Sequence, residues 1–400
     1  MSLQDTPRSN RLHIGIFGKR NSGKSLLINA LTNQDIAIVS DVAGTTTDPV
    51  YKSMEIHGIG PCVFIDTAGF DDIGEIGMLR VSQTKKAMEK TDIAVMVFSD
   101  GITKEETEWV EELKRKHIPV ISVINKIDVI HNAEALRKSV EEKLEIPAIL
   151  VSALTKEGVD KIRKEIIRAL PADYENESIV ADLAKPDDVV LLVMPQDIQA
   201  PKGRLILPQV QVIRELLDKK CVVISVATDK LEAALDSLKH PPKLIVTDSQ
   251  VFKTVYEKKP AESKLTSFSV LMAGYKGDLD YFVQSANTIE KLTDKSRVLI
   301  AEACTHAPLT EDIGREKIPR MLRSRAGEGL KVDIVSGVDF PEDVSGYDLI
   351  IHCGGCMFNR KYVLTRVEKA RAAHVPMTNY GVVIACLSGI LGKIDLPCTM

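Results

Sequence analysis

Residues 18–25 have the sequence Gly-Lys-Arg-Asn-Ser-Gly-Lys-Ser and match the phosphate-binding loop pattern G-x-x-x-x-G-K-[ST]. The loop follows an apolar run, 12–17, that predicts a strand, and precedes a stretch, 26–31, with apolar residues at helical spacing. This setting binds phosphate because backbone N–H groups and the helix N-terminus both attract an anion. Lys24 is predicted to reach the β- and γ-phosphates, and the Ser25 hydroxyl to bind Mg²⁺. The other loop residues predicted to contact the nucleotide are Gly18, Asn21, Ser22 and Gly23.

The composition limits the class of protein. A chain of 400 residues is too long for one core, so two or three domains are expected. The apolar fraction of 44% and the charged fraction of 27% are typical of globular proteins, and a net charge of −4 argues against a mainly electrostatic nucleic-acid binder. No run of eighteen apolar residues occurs and the N-terminus does not have the pattern of a signal peptide, so we expect a cytoplasmic protein that does not enter a membrane. Seven cysteines in such a chain indicate free thiols or metal ligands rather than disulfides.

Two further segments are predicted to contact the phosphates and the metal. Residues 41–49 form a polar, turn-rich segment, typical of a switch loop in which the Thr46 hydroxyl binds Mg²⁺. The apolar run 61–65 predicts a strand that ends in Asp-Thr-Ala-Gly. Asp66 would hold Mg²⁺ through water, and the backbone N–H of Gly69 would face the γ-phosphate. Lys24, Thr46, Asp66 and Gly69 are therefore the predicted catalytic set.

Three more apolar runs, 93–98, 120–124 and 148–150, predict buried strands. They alternate with helical segments of about 15 residues, which indicates an α/β fold with a mostly parallel sheet. Asn-Lys-x-Asp follows the second run and Ser-Ala lies just beyond the third. The residues concerned are Asn125, Lys126, Asp128, Ser152 and Ala153.

These five motifs, in this order, resemble the GTPase superfamily over about 160 residues. A carboxylate at Asp128 can accept hydrogen bonds from guanine N1–H and N2–H₂, whereas adenine offers no such pair of donors. The resemblance further implies that Asn125 contacts the base, that Lys126 lies along the ring and ribose, and that Ser152 and Ala153 approach the guanine carbonyl. GTP and GDP are the implied ligands.

The loop sequences at residues 18–25, 44–48 and 66–70 are similar to those of the branch that contains the TrmE and Era GTPases. In that branch Thr46 matches the threonine that binds Mg²⁺. Phe70 occupies the position at which small signalling GTPases have a water-orienting glutamine, so hydrolysis is expected to be slow or assisted in another way. Asn21 matches an asparagine that helps to coordinate K⁺ beside the phosphates. The alternative is that Asn21 only shapes the loop.

The chain is divided here into a GTPase domain, 1–171, a middle domain, 172–262, and a C-terminal domain, 263–400. The middle segment alternates short apolar strands with helices and contains no catalytic constellation that we can identify. A unit of this size with so many apolar strands is expected to need a partner surface, so we predict a homodimer formed by this domain. Cys221 is expected to be a buried core thiol.

Two predicted strands of the C-terminal domain end in soft metal ligands. The run 297–303 leads into Cys304-Thr-His306, and the run 348–351 leads into His352-Cys353-Gly-Gly-Cys356. The carboxyl ends of parallel strands share one edge of a sheet, so these groups are expected to lie close together. By spacing alone, a structural zinc site and an iron–sulfur cluster are equally compatible with these ligands.

The full set of motifs resembles the HydF family, the GTPases that mature [FeFe]-hydrogenase, over the whole chain. The resemblance implies a [4Fe–4S] cluster on Cys304, Cys353 and Cys356, with an exchangeable fourth ligand. His306 and His352 would either be that fourth ligand or contact the cysteine ligands without binding the metal. Further candidates for the fourth ligand are the carboxylates Glu302, Glu311 and Asp312. The resemblance also implies delivery of a di-iron precursor to apo-[FeFe]-hydrogenase, alongside the radical-SAM maturases HydE and HydG.

Two other functions are compatible with part of the sequence. One is a TrmE- or Era-like GTPase of RNA modification or ribosome assembly that carries a structural zinc domain. No dense Lys/Arg run with interleaved aromatic residues is present in the C-terminal region, which counts against RNA binding, and no nucleic-acid partner is expected. The other is a redox enzyme, which an open fourth coordination position disfavours.

Overall fold

A computed structural model describes residues 7–32, 49–56, 59–70, 75–170, 178–195, 205–303 and 312–398. The chain divides into two compact units, Met1–Tyr174 and Glu175–Met400. Thr46, Cys304, His306 and Glu311 lie outside the described residues, so their predicted roles stay predictions. No helix in the described part of the chain has the length and apolar character needed to cross a bilayer.

The first unit contains a six-stranded sheet in the order β2-β3-β1-β4-β5-β6. Strand β2 is antiparallel to β3, and the other neighbouring strands are parallel. The strands are β1 (Leu12–Gly18), β2 (Val50–Ile56), β3 (Gly60–Asp66), β4 (Ile93–Phe98), β5 (Val120–Ile124) and β6 (Ala148–Leu150). Of these, only β2 was not predicted, because it is an edge strand whose burial does not alternate regularly.

Helices cover both faces of this sheet. They are α1 (Lys24–Thr32), α2 (Glu75–Met88), α3 (Lys104–Arg115), α4 (Ala133–Leu144) and α5 (Val159–Arg168). Side chains of β1 alternate between two cores: Ile14 packs with Leu27 and Ile162 on one face, and Phe17 packs with Trp109 on the other. The predicted α/β class, with a mostly parallel sheet, is confirmed in this unit.

The second unit contains two parallel four-stranded sheets. The first has the order β10-β9-β7-β8. Its strands are β7 (Val189–Val193), β8 (Val222–Val226), β9 (Leu244–Thr247) and β10 (Lys264–Ser267), and its helices are α6 (Leu207–Asp218), α7 (Leu231–Ser237), α8 (Phe252–Lys258) and α9 (Phe268–Lys276). This sheet extends past residue 262, where the sequence analysis placed the end of the middle domain.

The second sheet has the order β12-β11-β13-β14. Its strands are β11 (Arg297–Glu302), β12 (Lys331–Ser336), β13 (Leu349–His352) and β14 (Met377–Asn379), and the helices around it are α10 (Leu279–Ala286), α11 (Ile318–Ala326), α12 (Arg360–Ala372) and α13 (Tyr380–Leu387). Leu191 and Ile245 of the first sheet share one buried cluster with Ile300 and Ile351 of the second. The two sheets of this unit therefore have a common core.

Strands β11 and β13 are direct neighbours in this sheet, with Ala301 opposite His352. Their carboxyl ends consequently lie side by side, as the sequence analysis predicted for the two cysteine segments. Helix α11 and strand β12 lie between them in the chain, and β12 pairs with β11 on its other side.

Candidate functional site

The phosphate-binding loop connects β1 to α1, and its lysine is buried. Lys24 is 7% exposed, and its Nζ donates hydrogen bonds to the carbonyls of Gly18 at 3.0 Å and Lys19 at 2.6 Å. Gly23 has a positive φ of 89°, and a Cβ there would collide with the Asn125 amide. The loop therefore needs glycine at this position, and the ammonium is already held where phosphate oxygens can replace the carbonyls.

Ser25 and Asp66 form the pair expected to hold the metal. The Ser25 hydroxyl donates to Asp66 Oδ2 at 2.8 Å, and β3 places Asp66 opposite Ile16 of β1. Burial raises the pKa of Asp66 above its usual range, and the hydrogen bond from Ser25 opposes this rise. The other carboxylate oxygen, Oδ1, is buried without a hydrogen-bond partner among the described residues. A hydroxyl and a carboxylate with an unused oxygen are suitable donors for Mg²⁺, directly or through water.

Gly69 and Phe70 follow this strand and are both buried. The Phe70 ring stacks on Trp109, with a centroid distance of 5.2 Å and an interplanar angle of 20°. The ring therefore packs into the core of this unit, and Phe70 offers no side-chain amide to orient a water.

Asn125 joins two nucleotide loops. Its Nδ2 donates to the Ser22 carbonyl at 2.9 Å, and its Oδ1 accepts from the Ala153 backbone N–H at 2.9 Å. The side chain is fully buried. The sequence motif predicts only a contact between Asn125 and the base; no local sequence signal indicates this second, bracing role.

Asp128 and Ser152, the other predicted base-reading residues, are also brought together. Asp128 Oδ1 accepts from the Ser152 hydroxyl at 2.6 Å, and Ser152 Oγ accepts from the Thr155 backbone N–H at 3.1 Å. These contacts orient the Asp128 carboxylate. The neighbouring residue Lys126 has a left-handed backbone, with φ 65°.

Two lysines near the phosphate loop were not identified from sequence. Lys19 Nζ lies 3.3 Å from an Asp100 oxygen and 3.4 Å from a Glu106 oxygen, and Glu106 belongs to the capping box that begins α3. Lys52 on β2 is 7% exposed; burial lowers its pKa, and the Asp66 carboxylate opposes this effect. The Thr103-x-x-Glu106 pattern is a sequence signal for the capping box.

Asn21 of the phosphate loop is exposed, with φ 60°, and its predicted K⁺ role stays a prediction.

The second candidate site is built around Cys353, which follows the last residue of β13. Its Sγ accepts backbone N–H bonds from Ala303 at 3.0 Å and from Gly355 at 3.4 Å. Burial raises the pKa of the thiol to about 11, whereas the two N–H contacts favour the thiolate. Gly355 has φ 62°, which lets the chain curl back toward the sulfur. Ala303 is the residue before Cys304, so the described end of the strand that leads into Cys304 contacts this sulfur.

His352 is fixed by two contacts. Its Nδ1 lies 2.6 Å from the Cys353 carbonyl and its Nε2 lies 3.0 Å from Arg366 Nη1. A carbonyl can only accept and a guanidinium can only donate, so the proton is on Nδ1. Burial and the adjacent Arg366 lower the pKa of His352 to about 3, which keeps the ring neutral. Both nitrogens are engaged, so this geometry favours the supporting role of His352 over the ligand role.

Glu302 and Asp312, two of the candidate carboxylates, are also engaged. Arg315 pairs with Glu302 at 3.0 Å, and the Ser336 hydroxyl donates to the same carboxylate oxygen at 3.2 Å. Asp312 Oδ1 accepts the backbone N–H groups of Gly314 and Arg315, each at 2.9 Å. The described residues contain no group of three His, Cys, Asp or Glu side chains arranged as a metal site. Of the three predicted cysteine ligands, only Cys353 and Cys356 are among these residues.

Lys276 contacts the backbone of the Cys353–Cys356 segment and was not identified from sequence. It is 1% exposed, and its Nζ donates to the carbonyls of Phe358 at 2.6 Å and of Gly355 and Cys356 at 3.4 Å each. Burial lowers its pKa to about 8, while the neighbouring Cys356 and Cys353 favour the charged form. A lysine at the end of an apolar helix gives no sequence signal of this contact.

The first unit is similar to curated GTPases. A family model described as 50S ribosome-binding GTPase matches residues 13–126. GTPase Der of Sulfurihydrogenibium sp. is 36% identical over 168 residues, 39% of this chain and 38% of its own length. The tRNA modification GTPase MnmE of Flavobacterium johnsoniae is 36% identical over 197 residues, 45% of this chain and 41% of its own. The chain thus spans about two fifths of the length of these relatives.

A comparison of structures matches Aquifex aeolicus Era bound to GDP and AlF₄⁻, at 23% identity and a TM-score of 0.38, over 54% of this chain and 92% of that one. The fold and the nucleotide loops define a P-loop GTPase with two further α/β domains. Models of the hydrogen maturase F dimerization and tetramerization domains match residues 179–277 and 280–394, which together are more than half of the chain. The chain belongs to the hydrogen maturase F family. The tetramerization match covers the predicted cluster-binding domain, for which the sequence analysis proposed no self-association.

Proposed function

We propose that this protein is a GTP-hydrolysing scaffold in the maturation of [FeFe]-hydrogenase. It holds a [4Fe–4S] cluster on Cys304, Cys353 and Cys356 and delivers a di-iron precursor to the apo-hydrogenase, with HydE and HydG as the other maturases. The observation that carries the cluster assignment is the Cys353 sulfur, which accepts two backbone N–H groups, one of them from Ala303, the residue before Cys304. This surrounding supports a metal-bound thiolate, and the family supports the choice of metal.

The proposed GTP reaction relies on groups that the fold positions before the nucleotide binds. Phosphate oxygens would replace the loop carbonyls on Lys24. Ser25 and Thr46 would hold Mg²⁺, and Asp66 would bind it through water. Magnesium would supply charge stabilisation on the phosphate oxygens. Asp128 selects guanine, since its carboxylate is oriented by Ser152. Potassium beside Asn21 would assist hydrolysis.

In the proposed cluster site the chain supplies three thiolates and a fixed backbone. The N–H groups of Ala303 and Gly355 stabilise negative charge on the Cys353 sulfur, and His352 holds the Cys353 carbonyl on the other side. The cluster would supply an iron that can bind an exchangeable ligand. A fourth ligand other than His352 agrees best with the contacts of its ring.

We also propose that the middle domain forms a homodimer, and that the boundary between the last two domains lies near residue 278. Strand β8 is an edge strand of its sheet, and Val222 on it is 52% exposed. An exposed edge can pair with the same edge of a second copy. The dimerization-domain match over 179–277 supports both proposals. A boundary near residue 278 also leaves β10 in the same domain as β9, the strand with which it pairs.

Metal analysis of anaerobically prepared protein is the test. The proposal expects a brown protein with about four irons and four sulfides per chain, and iron lost in Cys304→Ala, Cys353→Ala and Cys356→Ala. Cys398→Ala is the matched control: Cys398 is an exposed thiol outside the predicted ligand set, so its loss should leave the iron content unchanged. GTP hydrolysis should persist in all four variants, since the nucleotide loops lie in the other compact unit.

The alternative function, a GTPase of RNA modification or ribosome assembly, would give a different result. It predicts a colourless protein with one zinc per chain and no sulfide. Stoichiometric zinc in the unaltered protein, or full iron loading in Cys353→Ala, would contradict the scaffold assignment. The similarity of the first unit to Der and MnmE is the observation that keeps this alternative in the test.

A further inference from the structure

Lys276 is a buried cation that contacts the cysteine segment from a different domain. It is the last residue of α9 and lies within the dimerization-domain match, whereas Cys353 and Cys356 lie within the tetramerization-domain match. Helix α9 packs against both α12 and α13 of the cysteine-bearing domain. The ammonium therefore reaches the candidate cluster site across a domain boundary, inside one compact unit.

The contacts of Lys276 match the donors of an ammonium group. Three carbonyls, those of Gly355, Cys356 and Phe358, surround Nζ, and an ammonium has three N–H donors where a neutral amine has two. No carboxylate of the described residues forms an ion pair with Lys276. The groups that favour its charged form are Cys353 and Cys356, which carry negative charge when they bind a metal as thiolates.

Gly355 connects the lysine to the sulfur. Its carbonyl accepts from Lys276 at 3.4 Å, and its N–H donates to Cys353 Sγ at 3.4 Å. The N–H lies in the peptide plane that precedes the carbonyl, so an ammonium that holds three carbonyls of this turn restricts the backbone torsions that orient the N–H. It further places a positive charge beside two thiolates in a surrounding with little solvent, where charges interact strongly.

We propose that Lys276 is a positioning residue of the cysteine site: it anchors the Gly355–Phe358 turn and compensates negative charge on the thiolates and the bound cluster. This inference rests on the proposed function for its second half only. Anchoring of the turn is a property of the metal-free chain. Because the dimerization domain supplies this cation, the conformation of that domain is linked to the cysteine site in the next domain of the same chain.

The test compares the full chain with Lys276→Met, which keeps the length of the side chain but removes its charge and donors. Lys259→Met is the matched control, because Lys259 Nζ also binds two carbonyls, those of Pro260 at 3.1 Å and Ser263 at 2.6 Å, within the match of the same domain. Hydrogen exchange of peptides covering 353–358 is measured on metal-free protein. The midpoint potential and the electron paramagnetic resonance spectrum are then measured after anaerobic reconstitution with iron and sulfide.

In Lys276→Met we expect exchange in 353–358 to accelerate about tenfold or more, because three hydrogen bonds to a charged donor are lost. We also expect a more negative midpoint potential, because a nearby positive charge stabilises the reduced cluster. Lys259→Met should change neither quantity. If Lys276→Met does not fold, Lys276→Gln, which keeps amide donors without charge, takes its place: exchange in 353–358 should be faster than in the unaltered protein, and the potential should again be more negative.

Unchanged loop exchange in a folded Lys276→Met protein would overturn the anchoring role. An unchanged potential and spectrum in the reconstituted variant would overturn charge compensation. Failure of the unaltered protein to take up iron and sulfide is a different result. It would refute the cluster assignment, and with it the compensating charge, while the exchange measurement still decides whether Lys276 anchors the turn.

Discussion

Replacing Asn125 by Ala should destabilise the nucleotide-free GTPase unit. The side chain makes two buried hydrogen bonds, one to the Ser22 carbonyl and one from the Ala153 N–H. A variant without the amide leaves both backbone groups without these partners. A residue that only contacted guanine would have no effect on stability before the nucleotide binds.

The magnitude follows from the two groups left behind. Each buried backbone group without a partner costs about 1–3 kcal/mol. Since water near the nucleotide pocket satisfies part of this loss, we expect about 2–4 kcal/mol in total. With a urea dependence of about 2 kcal/mol per molar, the unfolding midpoint should fall by about 1–2 M.

The assay is urea unfolding without nucleotide, followed by fluorescence of Trp109. This residue is the only tryptophan of the chain and is buried in the first unit, so its emission reports the unfolding of that unit. Asn132→Ala is the control, because Asn132 caps α4 through one exposed hydrogen bond to the Ala135 N–H. Loss of such a cap costs about 1 kcal/mol. A midpoint shift in Asn125→Ala no larger than that of Asn132→Ala would refute the bracing role.

Three other predictions follow from the described contacts. Asp128→Ala should lower the preference for GTP over ATP by at least about tenfold, because a carboxylate that pairs with two guanine donors is worth 1.4 kcal/mol or more; equal hydrolysis of ATP by the unaltered protein would show that Asp128 does not read the base. Burial raises the pKa of Glu106 above 4.5, so the folded state binds this proton more tightly than the unfolded state, and stability should decline as the pH rises from about 4.5 through the folded pKa. Trp109 unfolding curves at several pH values should show this decline and its loss in Glu106→Gln; an unchanged pH profile would contradict it. Val222→Lys should convert the proposed dimer of the middle domain to a smaller species in light scattering, whereas Lys185→Ala, with an exposed side chain outside β8, should not.

The strands were the most predictable part of this fold. Runs such as 93–98 are apolar throughout because parallel strands are covered by helices on both faces, and the structure buries every residue of β4. The strand β2 escaped prediction because an antiparallel edge strand has a partly exposed, irregular pattern. The membership of β10 was also unpredictable, since pairing between strands is a tertiary property that a local pattern does not encode.

The candidate site was predictable to the extent that its chemistry is local in sequence. Lys24, Ser25 and Asp66 lie in recognisable motifs, and the structure brings their side chains together. Lys276 and Arg366 could not be found in this way. Each is a buried cation that binds a group on another element: Phe358 is 82 residues from Lys276, and His352 is 14 residues from Arg366. Neither lies in a pattern that distinguishes it from a surface residue on a helix.

The common core of the second unit has a consequence for how the proposed scaffold can work. Leu191 of the middle sheet and Ile351 beside the cysteine segment belong to one buried cluster, and α9 completes this cluster while ending in Lys276. Closely packed protein interiors have low compressibility and transmit displacements. Strand β8, the proposed dimer edge, also packs against this cluster through Ile224 and Val226, so the proposed interface and the Cys353–Cys356 segment lie on elements that share one core. We expect a change that loosens the middle sheet to be measurable at the cysteine segment, with Lys276 as the residue through which it acts.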